Sequence, residues 1–218
     1  WNSMMDLGIV HFMAYPVIKD DDPDLILESL KKIALDDFFQ IAEVRPSQHP
    51  QVTEGMKAIA ANSGLKLGVG TQPLPLLNKL DINSPDEAMR KAAIEQVKLG
   101  IDTAYEFGAP ICAFLSGPDD EANRDRLMDL LVESCVELCE YSKSRAGDRP
   151  PVWVSLEQFD DSIEKKCLIG PSTRAAELAE RVKAQVDNFG LTQDLSHMPL
   201  LKESALDMLT PTVDHLIH

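Results

Sequence analysis

The sequence predicts an α/β fold, a (β/α)8 TIM barrel that lacks its last strand–helix portion in this chain, and three observations carry the prediction. Seven short β-prone runs alternate with amphipathic helical stretches along 218 residues, and strands joined by helical crossovers are parallel with helices outside. The GxGxxG signature expected after the first strand of an open doubly wound sheet is missing; Gly68 and Gly70 form only a lone GxG. The strand count stops one short of closure, since a barrel needs eight strands and about 250 residues, whereas this sequence ends inside its seventh run. The expected unit is therefore one barrel domain over residues 1–218, C-terminally incomplete, because a seventh strand alone would leave an open edge.

The elements follow in order. LGIVHFM (7–13) precedes DPDLILESLKKIAL, where Asp22-Pro23 suits a helix start. FFQIAEV (38–44) leads into VTEGMKAIAANSG, with Gly64 placed to stop the helix. After LKLGVGT (65–71), Ser84-Pro85-Asp86-Glu87 opens EAMRKAAIEQVKLGIDTAYEFG, which ends on Gly108. PICAFLS (110–116) is followed by EANRDRLMDLLVESCVELCEYSKS, and VWVSLEQ (152–158) by STRAAELAERVKAQV. FGLTQD (189–194) precedes a short helix at SALDML, and HLIH (215–218) is the seventh run. Apolar residues recur at three- and four-residue intervals in each helical stretch, as one buried face requires.

Composition narrows the function classes. An apolar fraction of 44% with 26% charged residues is that of an ordinary globular protein. No run of eighteen apolar residues is present, so no membrane partner is expected. The stretch WNSMMDLGIVHF has no basic start, long apolar segment or small-residue cleavage site, and does not read as a signal peptide. A net charge of −15 repels phosphate backbones and argues against nucleic-acid partners. Cys112, Cys135, Cys139 and Cys167 form no CxxC pair and read as buried, reduced thiols, which points to the cytoplasm. The oligomeric state, a homo-oligomer included, stays open.

In a barrel of this kind the active site forms where several strands end. Those ends carry His11, Glu43, Gln72, Ser116, Glu157, Asp194 and His218, with His197 one turn past the sixth. Each has a bland alternative, because strand ends are where backbone meets water. Glu157 reads as a solvated carboxylate or a lysine partner, Asp194 as the cap of a helix near Pro199, and His197 as a ring packed over the rim. Convergence of several metal-ligating types on one rim argues for the sharper reading. His215 and His218 fall on opposite sides of a regular strand, and the inward one is the candidate ligand. His49 sits in a loop with no such role.

The segments VSLEQFD, LIGPSTRAAELAERV, NFGLTQDLSHMPL and HLIH, taken together, resemble the xylose isomerase-like TIM-barrel superfamily. More narrowly they are similar to its sugar (phosphate) isomerase/epimerase branch, which is related to ketose 3-epimerases and family-2 apurinic endonucleases. The resemblance implies one divalent cation held by Glu157, Asp194 and His218, with a second Glu on an eighth strand past His218. It also implies that His197 contacts substrate oxygens, that Glu157 is catalytic, and that Glu43 and His11 line the substrate pocket.

The chemistry fits those residue types. Proton transfer beside a sugar carbonyl develops enediolate charge, which a Lewis acid and a positioned base stabilise. Carboxylate and imidazole ligands without thiolates suit Mn, Mg, Co or Zn and do not choose among them. The expected partner is a small sugar or sugar phosphate, and the expected activity a metal-dependent isomerisation or epimerisation. An inosose-type dehydratase and a non-catalytic, incomplete barrel are the alternatives. The endonuclease branch is disfavoured by five histidines and the acidic charge.

Overall fold

The computed structural model describes residues 6–218; Trp1–Met5, the start of the stretch WNSMMDLGIVHF that does not read as a signal peptide, lie outside the described residues. Six strands form one sheet in the order β1 to β6, every neighbouring pair parallel. They are β1 (Gly8–Val10), β2 (Ile41–Val44), β3 (Lys66–Gly70), β4 (Ile111–Leu115), β5 (Trp153–Glu157) and β6 (Phe189–Thr192). Helices α1 (His11–Ala14) and α2 (Pro23–Ala34) follow β1, and α3 (Pro50–Ser63) follows β2. Next come α4 (Pro73–Asn78) and α5 (Glu87–Phe107) after β3, α6 (Arg124–Ala146) after β4, and α7 (Ser172–Lys183) after β5. Beyond β6 lie α8 (Met198–Leu201) and α9 (Ala205–Thr212). Sequential parallel order with a helical crossover at each step is the topology of a TIM barrel wall.

The predicted boundaries hold where the side chains enforce them. The Asp22 carboxylate accepts from the backbone N–H groups of Asp24 and Leu25, and Asp86 does the same for Ala88 and Met89. Gly64 and Gly108 end α3 and α5 at φ of 76° and 69°, a left-handed turn open to glycine without steric cost. Helix α4 went unforeseen. Its Pro73 and Pro75 fall in the first turn, where no backbone N–H is required, so prolines that look like breakers start a helix instead.

The outer face of the sheet is apolar. Val69, Cys112, Phe114, Val154, Leu156, Phe189 and Leu191 pack with Ile94, Val97 and Ile101 of α5 and Leu131, Cys135 and Leu138 of α6. Leu178 and Val182 of α7 complete this layer. A second cluster joins Ala42 and Val44 of β2 to Ile26, Leu30 and Ile33 of α2 and Val52 and Met56 of α3. All four cysteines are buried and unpaired. Among the described residues no helix is long and apolar enough to cross a membrane.

Strand alternation turns the remaining residues to the inner face. Gly68, Gly70, Ala113, Ser155, Gly190 and Thr192 stand there, far smaller than the branched side chains that usually fill a barrel. A cavity of ≈ 760 Å³ opens beside them, lined in part by Ile41, Glu43, Gly68, Ile111, Ala113 and His218.

Two ends differ from expectation. The first strand stops at Val10, and His11 begins α1: Tyr15 N–H donates to the His11 carbonyl at 2.9 Å, closing a helical turn. His11 is fully buried, its Nε2 2.7 Å from Ser29 Oγ on α2. The seventh run starts one residue late, because His215 closes a 3₁₀ turn. Leu216 then bridges Leu191 in parallel; Ile217 N–H donates to the Leu191 carbonyl at 3.0 Å, and Gln193 N–H donates to the His218 carbonyl at 3.2 Å. The chain thus pairs with β6 at Leu216 as a parallel seventh strand would.

Burial, and secondarily the Arg45 charge, push the His11 imidazole down from 6.5 to about 4. The unfolded chain therefore takes up this proton before the folded one does. The stability that His11 contributes is present above pH 6.5 and is lost as pH falls toward 4, by about 3 kcal/mol at most. Urea titrations of wild type and His11→Gln across that window test this: the variant should show the shallower acid dependence, and parallel curves would contradict it.

Candidate metal centre and active site

The site stands at the C-terminal rim of β5 and β6. Their register pairs Glu157 with Thr192, so the last residue of β5 lies level with the end of β6, two residues before Asp194. Below them Ser155 Oγ and Thr192 Oγ1 are 2.6 Å apart, a hydroxyl pair that fills the inner face without bulk. Glu157, Asp194 and His197 each present one ligand-type atom, all within 4.8 Å of one another.

Each is held from outside the cluster. Gln72, at the N-terminus of α4, donates Nε2–H to Glu157 Oε2 at 2.6 Å, which leaves Oε1 turned to His197 Nε2 at 3.5 Å. Asp194 Oδ1 accepts the Ser196 N–H at 2.8 Å, capping the turn that carries His197, while Oδ2 lies 3.8 Å from the His197 ring. Capping and ligation are thus compatible in one carboxylate, an oxygen for each. Phe159 backs the imidazole with ring centroids 4.4 Å apart. The contact with Glu157, then the nearby carboxylate charges, raise the His197 pKa against the opposing effect of burial.

Glu43, on β2, is the third carboxylate of the neighbourhood. Burial first, then the charges of Glu157 and Asp194, push it up to about 7. Glycine makes room for it: a Cβ at Gly70 would overlap Glu43 Oε1 and lie 2.6 Å from Gln72 Oε1. That Gln72 oxygen is buried with no hydrogen-bond partner.

The structure brings Glu157, Asp194 and His197 together and places the other expected residues around or away from them. His218, expected among the ligands, is the exposed last residue; it lines the inner cavity with Glu43 and stands outside the group of three. His215 points to the helix layer, its Nδ1 3.4 Å from Lys183 Nζ. His11 sits between β1 and α2, bonded to Ser29. Gln72 was visible as a polar strand end, but nothing in the sequence tied it to Glu157, 85 residues away. Phe159 gave no signal beyond its place two residues after Glu157.

Two carboxylates and an imidazole suit a divalent cation. Ligand bonds of roughly 2.0–2.2 Å put neighbouring donor atoms about 3–3.6 Å apart, so the 3.5 and 3.8 Å separations from His197 Nε2 need only slight contraction, and the two carboxylates stand within 4.8 Å of each other. The unpartnered Gln72 oxygen adds acceptor character beside them.

The model of one protein family, described as xylose isomerase-like TIM barrel, matches residues 25–216. No curated protein matches the chain in sequence. Among solved structures, the D-psicose 3-epimerase from Clostridium cellulolyticum H10, with D-tagatose, is similar at a TM-score of 0.70 and 19% identity over 97% of this chain and 71% of its own. A D-allulose 3-epimerase from Methylomonas sp., in complex with D-allulose, gives 0.71 and 15% over 97% and 70%. A xylose isomerase-like TIM barrel protein from Mycobacterium smegmatis, in complex with magnesium, gives 0.65 and 18% over 91% and 66%. The chain thus spans about two thirds of the length of these structures, whose likeness to it is one of fold.

Replacing Gly70 by Ala should leave fold stability within about 1 kcal/mol, because the crowded atoms end side chains that can rotate. It should nevertheless push Gln72 off Glu157 and weaken Mn²⁺ binding about tenfold. Calorimetric Mn²⁺ titration checks this; unchanged affinity would show that Gln72 gives Glu157 no support.

Proposed function

We propose, starting from the fact that this chain belongs to the xylose isomerase-like TIM-barrel family, that it serves a divalent-metal-dependent isomerase or epimerase of sugars or sugar phosphates. The observation that carries the reading is the cluster of Glu157, Asp194 and His197 on one barrel rim. Epimerase neighbours with the same fold support the reaction class.

In this reading Glu157 and Asp194 hold the cation, and His197 Nε2 is the nitrogen within reach. The cation, when bound, supplies Lewis-acid stabilisation of charge developing on adjacent substrate oxygens. Glu157 would take the proton from the carbon beside the carbonyl onto its carboxylate, while Gln72 anchors Oε2 and fixes the carboxylate plane. Phe159 holds the imidazole in place and keeps water from that side of it. Glu43 meets the substrate from β2, across the small inner-face residues that leave it room. His218 lines the same cavity and is a further nitrogen donor to be tested beside His197.

Screening a panel of ketoses and ketose phosphates with Mn²⁺, Mg²⁺, Co²⁺ or Zn²⁺ tests the reaction class. Glu157→Gln should abolish turnover and leave the fold intact; epimerisation at the wild-type rate by that variant would sink its role. Asp194→Asn should weaken Mn²⁺ binding by about two orders of magnitude. Of the two histidines, His197→Gln should cost more Mn²⁺ affinity than His218→Gln, and the reverse order would transfer the ligand role to His218.

A further inference from the structure

Beneath the rim, the residues next to the two carboxylate ligands turn the opposite way, into the helix layer. Gln158 follows Glu157 and is fully buried. Gln193 precedes Asp194. Their amides meet: Gln193 Nε2–H donates to Gln158 Oε1 at 2.9 Å. Gln158 Nε2 donates onward to the Gly170 carbonyl at 2.9 Å and to Ser172 Oγ at 3.1 Å. Ser172, at the start of α7, donates its hydroxyl to Glu203 Oε2 at 2.5 Å and its N–H to Glu203 Oε1 at 3.0 Å. On the other side Gln193 Nε2 reaches the Met208 carbonyl at 3.0 Å and Thr212 Oγ1 at 2.6 Å, both on α9.

We propose that this Gln158–Gln193 amide pair, extended through Ser172 to Glu203 and through Thr212 to α9, is a latch that fixes the spacing of Glu157 and Asp194 for the cation. The inference rests on the metal reading of those two carboxylates. Burying an amide is costly unless it is bonded, and both amide nitrogens and the Gln158 oxygen are bonded here, the Gln193 oxygen alone being unpartnered. Here the bonds run between the two strand ends that carry the ligands and between the two helices that flank them. Glu203 extends the same chain to the segment after α8, so the turn bearing His197 is tied at both its ends. Separating the ligand oxygens by even one ångström would spoil a shared coordination sphere whose bonds tolerate only tenths. Gln158 and Gln193 touch neither substrate nor cation, and they are positioning residues.

The test pairs metal affinity with metal-free stability in the full chain. Gln158→Met and Gln193→Met keep side-chain volume and remove the amide bond. Mn²⁺ titration should show a loss of about 10- to 100-fold in each, with chelator-treated thermal midpoints within a few degrees of wild type. A purely structural role would lower the midpoint and leave the Mn²⁺ affinity of the folded protein unchanged, and that result would overturn the latch. Should the buried replacements fail to fold, Glu203→Ala at the half-buried end of the chain decides: a loss of at least about threefold supports the latch, and wild-type affinity overturns it. Wild type that binds no Mn²⁺ overturns the metal reading and the latch with it, and is distinguishable from a wild type that binds while the variants bind equally well.

Discussion

The parallel register of β5 on β6 is the constraint on which the site depends. Pairing Val154 with Phe189 and Glu157 with Thr192 brings two strand ends level, so carboxylates 37 positions apart in sequence project from one rim. A one-residue slip would turn Glu157 to the helix layer, since side chains alternate across a strand. The register is enforced on the outer face, where Val154, Leu156, Phe189 and Leu191 are fully buried against α6 and α7. It is enforced again at the rim by the Ser155–Thr192 hydroxyl pair and the amides of Gln158 and Gln193.

A rim built this way carries an electrostatic load. Glu43, Glu157 and Asp194 converge in a protein whose net charge is already −15. Burial first, then the like charges of Glu157 and Asp194, push the Glu43 carboxyl up to about 7. The hydrogen bonds from Gln72 to Glu157 and from Ser196 to Asp194 relieve part of the load. A divalent cation would relieve the rest. Small inner-face residues serve the same end, because Gly70 leaves the room that the Glu43 carboxylate and the Gln72 amide fill.

Much of this was legible in the sequence, and the reasons are physical. Parallel strands and their crossover helices have distinct periodicities, and caps such as Asp22, Asp86, Gly64 and Gly108 mark boundaries through local backbone chemistry that needs no tertiary context. Glu157 and Asp194 stood out because a carboxylate after an apolar run is unusual. What stayed hidden depends on contacts between distant residues. His11 looked like a strand end because LGIVHFM is apolar throughout; its turn into α1 is set by a backbone bond to Tyr15, and its burial by Ser29 on α2. The placing of His197 rather than His218 beside Glu157 follows from the short turn that Asp194 caps, a geometry that residue spacing alone does not specify. Gln158 and Gln193 adjoin the two carboxylates in sequence, but only the register sets their amides face to face.

The central claim is that Glu157, Asp194 and His197 form one metal centre. Diffraction from crystals grown with Mn²⁺, recorded near the manganese absorption edge, tests it most directly. The account predicts a single strong anomalous peak about 2.0–2.3 Å from a carboxylate oxygen of Glu157 and of Asp194 and from His197 Nε2. A peak elsewhere, or none at this rim with Mn²⁺ in excess, would contradict it.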